Sequence, residues 1–287
     1  MLAVGIHDGV PMRDYLLHAG LSASRLNILL SESPLHARHS EGGEPSEASE
    51  IGTAIHDGLL EGVDRIVAIE ADDWRTKAAK DARDEARAAS KIPMLARKVA
   101  QVQAAIAAAK SFIETTELSG IFERGKPEQT VIWYEGKLIC KARPDWLTDS
   151  RDVLLHVKTT DGSAEPNSWI RNQLVRGYDV AAAFYERGMF AVSETPEQSV
   201  YLHSVFLVIE QNAPYGCSLI GMSPAMQDIA ASRVNRGISL WAKCKAAGKY
   251  PAYSPVIHYA EPFAWQMADE EEKQMFSNEE LHGGIPL

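Results

Sequence analysis

Two short segments place polar side chains where an apolar strand is predicted to end. The first, residues 140–145, closes with an aspartate directly after a proline, and His156 and Lys158 follow two positions apart within an apolar run. Alternate side chains of a strand share a face, so His156 and Lys158 are expected to point the same way. An isolated buried ammonium is costly. The sequence therefore predicts a buried strand that ends with its lysine beside Asp145.

A carboxylate and a lysine at the end of one strand suit phosphodiester cleavage. Asp145 offers oxygen ligands to a divalent metal, and Lys158 can position the attacking water or help to deprotonate it. The structural alternative is a turn aspartate after Pro144 and a strand-end lysine that extends into solvent. The joint occurrence, with Arg143 before and Thr159 after, favours the catalytic interpretation.

The composition is that of a folded chain. Of its 287 residues, 45% are hydrophobic and 24% are charged, which is enough for one large core. The formal net charge of −10 argues against a nucleic-acid coat protein. A basic channel can lie inside an acidic surface, so the charge does not exclude a DNA enzyme.

The cysteines and the apolar runs indicate the compartment. Cys140, Cys217 and Cys244 form no CxxC pair, so neither a zinc ribbon nor an iron–sulfur cluster is predicted. Buried free thiols in a reducing cytoplasm are expected instead. Since no signal peptide and no bilayer-spanning run is recognised, we expect a soluble, cytoplasmic protein with no membrane partner.

The order of predicted elements indicates an α/β protein with a central mixed β-sheet flanked by helices. We expect one domain over residues 1–287, mainly helical over 1–120, with the sheet core and C-terminal helices over 121–287. Polar residues 40–50 are predicted as a loop, and Pro93 is expected to divide a helical stretch over 74–118. Strands are predicted at 129–134, 138–142, 153–157 and 199–209, and helices from Ser22 or Ser24, from Ile51, and over 169–186 and 224–245.

The paired segments resemble the PD-(D/E)XK nuclease superfamily, with Pro144-Asp145 as the PD pair and His156-Val157-Lys158 at the (D/E)XK position. Within it, the chain is similar to the nuclease domain of RecE-type exonucleases (exonuclease VIII) of prophages. The matching pieces occur in order over most of the chain. They are Ser24-Arg-Leu with Ser33-Pro34, Gly52-Thr-Ala-Ile-His56, Glu128-Gln-Thr-Val-Ile-Trp133, Lys141-Ala-Arg-Pro-Asp145, Lys158-Thr-Thr160, Gly177-Tyr-Asp-Val-Ala-Ala-Ala-Phe-Tyr185 and Gly248-Lys-Tyr-Pro-Ala-Tyr253.

The resemblance implies roles for residues that composition alone does not single out. It places Lys158, Asp145 and Glu128 in catalysis, with Mg²⁺ or Mn²⁺ as cofactor. The implied metal-site residues are Asp145, Glu128, His156, His56 and Val157, the last through its carbonyl. The implied DNA-binding residues are Arg143, Thr159, Arg171, Arg176 and Tyr178.

The resemblance also implies an activity and partners. The expected function is a metal-dependent exonuclease acting from the ends of linear double-stranded DNA, in the 5′ to 3′ direction, in support of recombination. A ring-shaped homo-oligomer and a single-strand annealing protein as partner are implied with it. Taken alone, each implied residue has a structural alternative, such as a satisfied core histidine for His56 or an exposed strand-end carboxylate for Glu128.

Two positions depart from the family pattern and leave alternatives open. His156 stands where the family has Asp or Glu, and Ala181 stands where a Gln-x-x-x-Tyr motif ending at Tyr185 would have its glutamine. An imidazole suits Mg²⁺ poorly, since Mg²⁺ prefers oxygen ligands. The site is therefore weakened or Mn²⁺-tolerant, or rescued by Glu128 or Asp161, or inactive in a protein that still binds DNA. A structure-specific endonuclease is a further alternative.

Overall fold

The computed structural model describes residues 2–40, 46–193 and 202–282. The chain divides into two compact units, Met1–Ala252 and Tyr253–Leu287. In the second unit, the described residues include helix α10 (Ala264–His282). Among the described residues, no helix is both long enough and apolar enough to cross a membrane.

The first unit combines helices and strands along its whole length. Its strands are β1 (Gly5–His7), β2 (Ile66–Ile69), β3 (Ile92–Leu95), β4 (Gly125–Pro127), β5 (Thr130–Glu135), β6 (Leu138–Ala142), β7 (Trp146–Thr148), β8 (Val153–Thr160), β9 (His203–Glu210) and β10 (Cys217–Gly221). Its α-helices are α1 (Met12–Leu17), α2 (Ala23–Ser31), α3 (Pro34–His39), α4 (Glu47–Leu60), α5 (Lys77–Ala88), α6 (Ala96–Ile113), α7 (Pro166–Asn172), α8 (Tyr178–Ala191) and α9 (Pro224–Ala247).

The strands form three sheets. A five-stranded sheet has the order β10-β9-β8-β7-β4, and a three-stranded sheet has the order β1-β5-β6. The five-stranded sheet is mixed, because β8 and β9 are parallel while their outer neighbours are antiparallel. Strands β2 and β3 form a separate parallel pair. This mixed sheet with helices around it confirms the predicted α/β fold class.

The two faces of β8 and its partner β9 belong to different parts of the core. Leu155 and Val157 pack with residues of α4 and α6, whereas Leu154 packs with residues of α2, α8 and α9. His156 contacts Phe206 of β9 with their ring centroids 4.9 Å apart. The side chains of β8 therefore alternate between two parts of the core, as the sequence predicted.

Serine caps explain several helix starts. Ser22 accepts a hydrogen bond from the Arg25 N–H, which confirms it as the N-cap of α2. Ser46 caps α4 in the same way, so this helix begins at Glu47 and not at Ile51. The predicted loop 40–50 therefore overlaps the first turn of α4, and its residues 41–45 lie outside the described residues.

Two other element predictions are corrected. The predicted helix over 169–186 is two α-helices, α7 and α8, separated by a 3₁₀ turn and by Gly177 at φ 130°. The first helix ends at Asn172, and Gly177, whose left-handed φ suits glycine, ends the 3₁₀ turn and precedes α8. Pro93 does separate two helices, but it lies within strand β3, so the predicted helical N-terminal part contains strands too.

Lys141 ties the N-terminal segment to the sheet. Its side chain is 5% exposed, and its ammonium donates to the carbonyls of Tyr15, Leu16 and His18 at 2.6, 3.1 and 2.8 Å. These carbonyls lie at the C-terminal end of α1, where a cation is favourable. The buried Lys141 therefore holds the C-terminal end of α1 next to strand β6. Cys140 and Cys244 are buried free thiols, as predicted, and Cys217 is a free thiol that is partly exposed.

Candidate active site

The chain crosses between the two larger sheets twice, and each crossing carries a carboxylate. The first crossing joins β4 to β5 at Glu128, and the second joins β6 to β7 at Asp145. The Glu128 N–H donates to the Asp145 carbonyl at 3.2 Å. The two carboxylates are therefore neighbours because both lie where the sheets meet.

Glu128 has a left-handed backbone, with φ 54°. A non-glycine residue in this region is uncommon and costs roughly 1–2 kcal/mol, and such strain is concentrated at functional sites. Its Oε2 accepts a hydrogen bond from Arg143, and its Oε1 lies 3.4 Å from Nε2 of His56. The sequence had indicated that Glu128 lies at the end of the β5 strand. In the structure, Glu128 precedes that strand and turns its carboxylate towards α4.

Asp145 contacts β8 through one oxygen, at Val157 and Lys158, and the strand continues to Thr160. Its Oδ2 accepts hydrogen bonds from the Val157 N–H at 2.7 Å and from Lys158 Nζ at 2.9 Å. Its Oδ1 lies 3.6 Å from Nε2 of His56. The lysine also donates to the Val157 carbonyl at 2.9 Å. Asp145 is thus anchored on one side and faces the histidine on the other.

His56 joins the two carboxylates from the α4 helix. Helix α4 packs against β8 through Ile55 and its neighbours in the core, and His56, the next residue, faces Glu128 and Asp145. The ligand atoms of His56, Glu128 and Asp145 all lie within 4.8 Å of one another. Three elements that are distant in sequence therefore form one cluster.

This cluster fits a divalent cation. Ligand atoms about 2.1 Å from an octahedral cation are about 3.0–4.2 Å from one another. His56 Nε2 lies 3.4 Å from Glu128 Oε1 and 3.6 Å from Asp145 Oδ1. Two carboxylates suit Mg²⁺ or Mn²⁺, and the imidazole favours the softer of the two. His56, Glu128 and Asp145 are the residues that would hold the ion.

The charges in the cluster are strongly coupled. Burial alone lowers the pKa of His56, but Asp145, Asp57 and Glu128 outweigh it and raise that pKa to about 10. Burial favours the neutral form of Asp145, yet Lys158 and His56 hold its pKa well below the usual range. Burial raises the pKa of Glu128, despite the opposing charges of His56 and Arg143. The carboxylates thus stabilise a positive charge on the His56 ring.

His156 lies outside the cluster of three. It is 3% exposed, its Nε2 lies 3.2 Å from the Ser204 hydroxyl, and its ring is 5.6 Å from that of Tyr185. Burial lowers its pKa to about 4, an effect that Asp145 opposes. His156 is therefore a neutral, packed histidine on the face that Lys158 shares, and its role as a metal ligand stays a prediction.

Of the two carboxylates considered as substitutes for the missing acidic residue, the structure brings only one to the site. Glu128 is a member of the cluster. Asp161 is exposed in the loop after β8, where its carbonyl accepts from Asn212 at 3.3 Å. The geometry therefore favours Glu128 as the second acidic group.

The site opens into a cleft of about 740 Å³. Of the residues predicted to bind DNA, Arg143, Thr159 and Tyr178 line it, whereas Arg171 and Arg176 do not. Tyr178 lies beneath Lys158, with Nζ 5.7 Å from its ring centroid. The cleft thus combines His56 and Glu128 of the cluster with the lysine and an aromatic face.

Several cleft residues escaped the sequence interpretation. These residues come from the segment before α1 and its first residue, from one face of α4, and from the turn after α4 up to Arg65, just before β2. The only signal for Asp57 was its position next to His56, and Arg65 carried none. The additional lining residues are Gly9, Val10, Pro11, Met12, Ser49, Gly52, Thr53, Asp57, Glu61, Val63 and Arg65.

A mixed sheet that carries a lysine next to an aspartate, with a glutamate and a histidine beside them, is the arrangement expected of the PD-(D/E)XK nuclease class of folds. The chain belongs to the family described as a PDDEXK-like domain of unknown function, DUF3799, whose model matches residues 23–261. The predicted superfamily is thereby confirmed.

Two solved structures are similar to this chain, and the first of them supports the same fold. A proposed exonuclease from Eubacterium rectale superimposes with a TM-score of 0.55 at 12% identity, over 90% of this chain and 97% of that one. A phage-related exonuclease from Haemophilus somnus superimposes with a TM-score of 0.35 at 12% identity, over 82% of this chain and 99% of that one. No curated protein matches this chain.

Proposed function

We propose that this protein is a divalent-metal-dependent deoxyribonuclease that degrades linear double-stranded DNA from its ends. The observation that carries the proposal is the cluster of His56, Glu128 and Asp145 with the Lys158 ammonium 2.9 Å from Asp145, at the mouth of a wide cleft. The chemistry that a divalent cation supplies in such a site is activation of water and stabilisation of charge on the phosphate.

The protein's own groups would position the reactants. Lys158 is held by Asp145 and by the Val157 carbonyl, so its ammonium has a defined position from which to orient a water molecule. Tyr178 offers an aromatic face beside it, on which a sugar or base could pack. Fixed donors of this kind reduce the reorganisation that the reaction requires.

The exonuclease proposal is tested on matched linear and covalently closed circular duplexes, each in Mg²⁺ and in Mn²⁺. We expect degradation of the linear form only, with faster cleavage in Mn²⁺ because His56 contributes an imidazole to the site. Labelling one end of one strand gives the direction, which we propose to be 5′ to 3′. Cleavage of the closed circle would instead identify an endonuclease.

Three further elements of the proposal come from the resemblance to RecE-type exonucleases. They are a ring-shaped homo-oligomer, a single-strand annealing protein as partner and a role in recombination. Sedimentation of the purified protein tests the first, and co-purification with an annealing protein tests the second.

A catalytically weakened or inactive DNA-binding protein is the second candidate function. The observation that favours it is that His156, at the usual acidic position, is buried against Ser204 and brings no negative charge to the metal site. Such a protein would bind duplex ends in a salt-dependent way without cleaving them in any metal.

The substitution His156→Asp separates these two functions. If the nuclease is weakened, the added carboxylate should increase Mg²⁺-dependent cleavage by about tenfold, which requires only about 1.4 kcal/mol of transition-state stabilisation. His156→Asn is the matched control, because it is nearly the same size as Asp and adds no charge. Cleavage rates of the three proteins in Mg²⁺ provide the measurement. Inactivity of all three in Mg²⁺ and Mn²⁺, with DNA binding retained, would support the binding function.

Metal affinity should increase with pH. The pKa of His56 is raised from 6.5 to about 10, and a histidine must lose its proton to bind a metal. Near neutral pH, each bound ion should therefore release about one proton, so that Mn²⁺ affinity rises about tenfold per pH unit between pH 6.5 and 8. Calorimetry at three pH values measures this slope, and His56→Gln should lose it.

Without added metal, the raised pKa of His56 makes the stability of the fold decrease with pH, opposite to the metal affinity. A pKa above its unfolded value adds stability that is complete below pH 6.5 and is lost as the pH approaches 10. A Mn²⁺ affinity that is independent of pH would show that His56 is already neutral in the folded protein.

A further inference from the structure

We propose that Arg65 binds a backbone phosphate of DNA in the cleft, and that Asp57 links this phosphate subsite to the metal-site residue His56. The inference rests on the proposed function, since it assigns part of the same cleft to the substrate. Asp57 and Arg65 both line that cleft beside His56.

The backbone under Arg65 is held in place. Asp57 lies in the last turn of α4, and the chain reverses after the helix at Gly62, whose φ of +64° suits glycine. This reversal returns Arg65 to Asp57. The Arg65 carbonyl then accepts the Ile92 N–H at 2.9 Å, which secures Arg65 at the start of the β2–β3 pair. The guanidinium is thus carried by a fixed part of the fold.

The guanidinium is only partly used by the protein. Its Nε and Nη2 both donate to Oδ2 of Asp57, at 2.8 and 2.5 Å. Among the described residues, no acceptor contacts its Nη1. The Arg65 side chain is 41% exposed, whereas that of Asp57 is 5% exposed. A planar guanidinium held on one edge and open on the other suits a phosphate oxygen.

The other cations of the cleft are more enclosed. Arg143 is 12% exposed and bonded to Glu128 and to the Val10 carbonyl. Lys158 is 22% exposed and bonded to Asp145. Since the cleft also contains several carboxylates, a DNA strand needs an accessible cation there. Among these three cationic side chains, Arg65 is the most accessible.

Asp57 connects Arg65 with the metal cluster. Its Oδ1 lies 3.9 Å from His56 Nδ1, while the opposite ring nitrogen, Nε2, faces Glu128 and Asp145. This separation is longer than a hydrogen bond, so Asp57 acts on the His56 ring through its charge. Asp57 is therefore a positioning residue that serves His56 with one oxygen and Arg65 with the other.

Duplex binding in Ca²⁺ tests the phosphate subsite without requiring cleavage. Fluorescence anisotropy with a linear duplex at several salt concentrations should show Arg65→Gln binding about tenfold more weakly at 0.1 M salt. Its log–log salt slope should be smaller by about 1, the value for one lost phosphate contact. Arg65→Lys should keep the wild-type slope, because it keeps the charge. Arg75→Gln is the matched control, since Arg75 pairs with Asp73 at 3.3 Å outside the cleft and is 91% exposed.

Arg65→Gln leaves the buried Asp57 without its partner, so a second variant guards against misfolding. Arg65→Gln/Asp57→Asn removes both charges and retains a neutral pair, and it should show the same smaller salt slope. Asp57→Asn alone should weaken Mn²⁺ binding by about 10–100-fold in calorimetry. Suppose that the wild type cleaves and binds duplex, and that Arg65→Gln binds duplex as tightly and with the same salt slope as Arg75→Gln. That result would overturn the phosphate subsite alone. A wild type that neither binds nor cleaves duplex would overturn the proposed function as well.

Discussion

Replacing Lys158 with alanine is expected to lower the rate of DNA cleavage by about 10²–10⁴-fold, the usual contribution of a positioned acid–base group. The ammonium lies 2.9 Å from both Asp145 Oδ2 and the Val157 carbonyl. Its removal takes away the donor that orients water but no core side chain. Since Lys158 also holds the pKa of Asp145 low, the unfolding midpoint in urea should fall, whereas duplex binding in Ca²⁺ should be retained. End-labelled linear duplex, digested under single-turnover conditions in Mn²⁺, gives the rate.

Lys126→Ala is the matched control for this variant. Lys126 also pairs with an aspartate, Asp8, but it is 55% exposed and lies outside the cleft. Its variant should cleave at the wild-type rate. A Lys158→Ala protein that cleaves as fast as Lys126→Ala would remove Lys158 from the catalytic assignment.

Asp145→Asn is expected to abolish metal-dependent cleavage and to weaken Mn²⁺ binding by at least about 100-fold. Loss of a group that merely supports a ligand already costs about 10–100-fold, and Asp145 is proposed as a ligand itself. Asparagine preserves the size of the side chain and can still accept the Val157 N–H. The change therefore removes the charge that Lys158 and His56 stabilise. Calorimetry with Mn²⁺ and the cleavage assay provide the measurements.

Asp149→Asn is the control for Asp145→Asn, because Asp149 is an exposed aspartate shortly after β7. It should bind Mn²⁺ like the wild type. If Asp145→Asn gave an unchanged Mn²⁺ isotherm, Asp145 would be a structural residue that secures β8, and the metal would have to be held elsewhere.

Sequence reasoning succeeded where the signal is local. The alternation along β8, the caps at the starts of helices and the proline before Asp145 are properties of a few consecutive residues, and they predicted the sheet core. The helix over 169–186 failed because Gly177, with its left-handed φ, interrupts a helical pattern that contains no proline. Strands β4 and β7 were missed because three residues are too few to show alternation.

By itself, the sequence of this protein determined the apolar core of strand β8, the lysine on that strand, the aspartate after Pro144, and the class of fold that such a pair accompanies. Only the tertiary structure decided which other groups join them. The convergence of Glu128, His56 and Arg65 depends on the two sheet crossings, on the packing of α4 against β8 and on the chain reversal at Gly62. Those arrangements arise from burial of apolar surfaces between elements far apart in the chain, which no local pattern encodes.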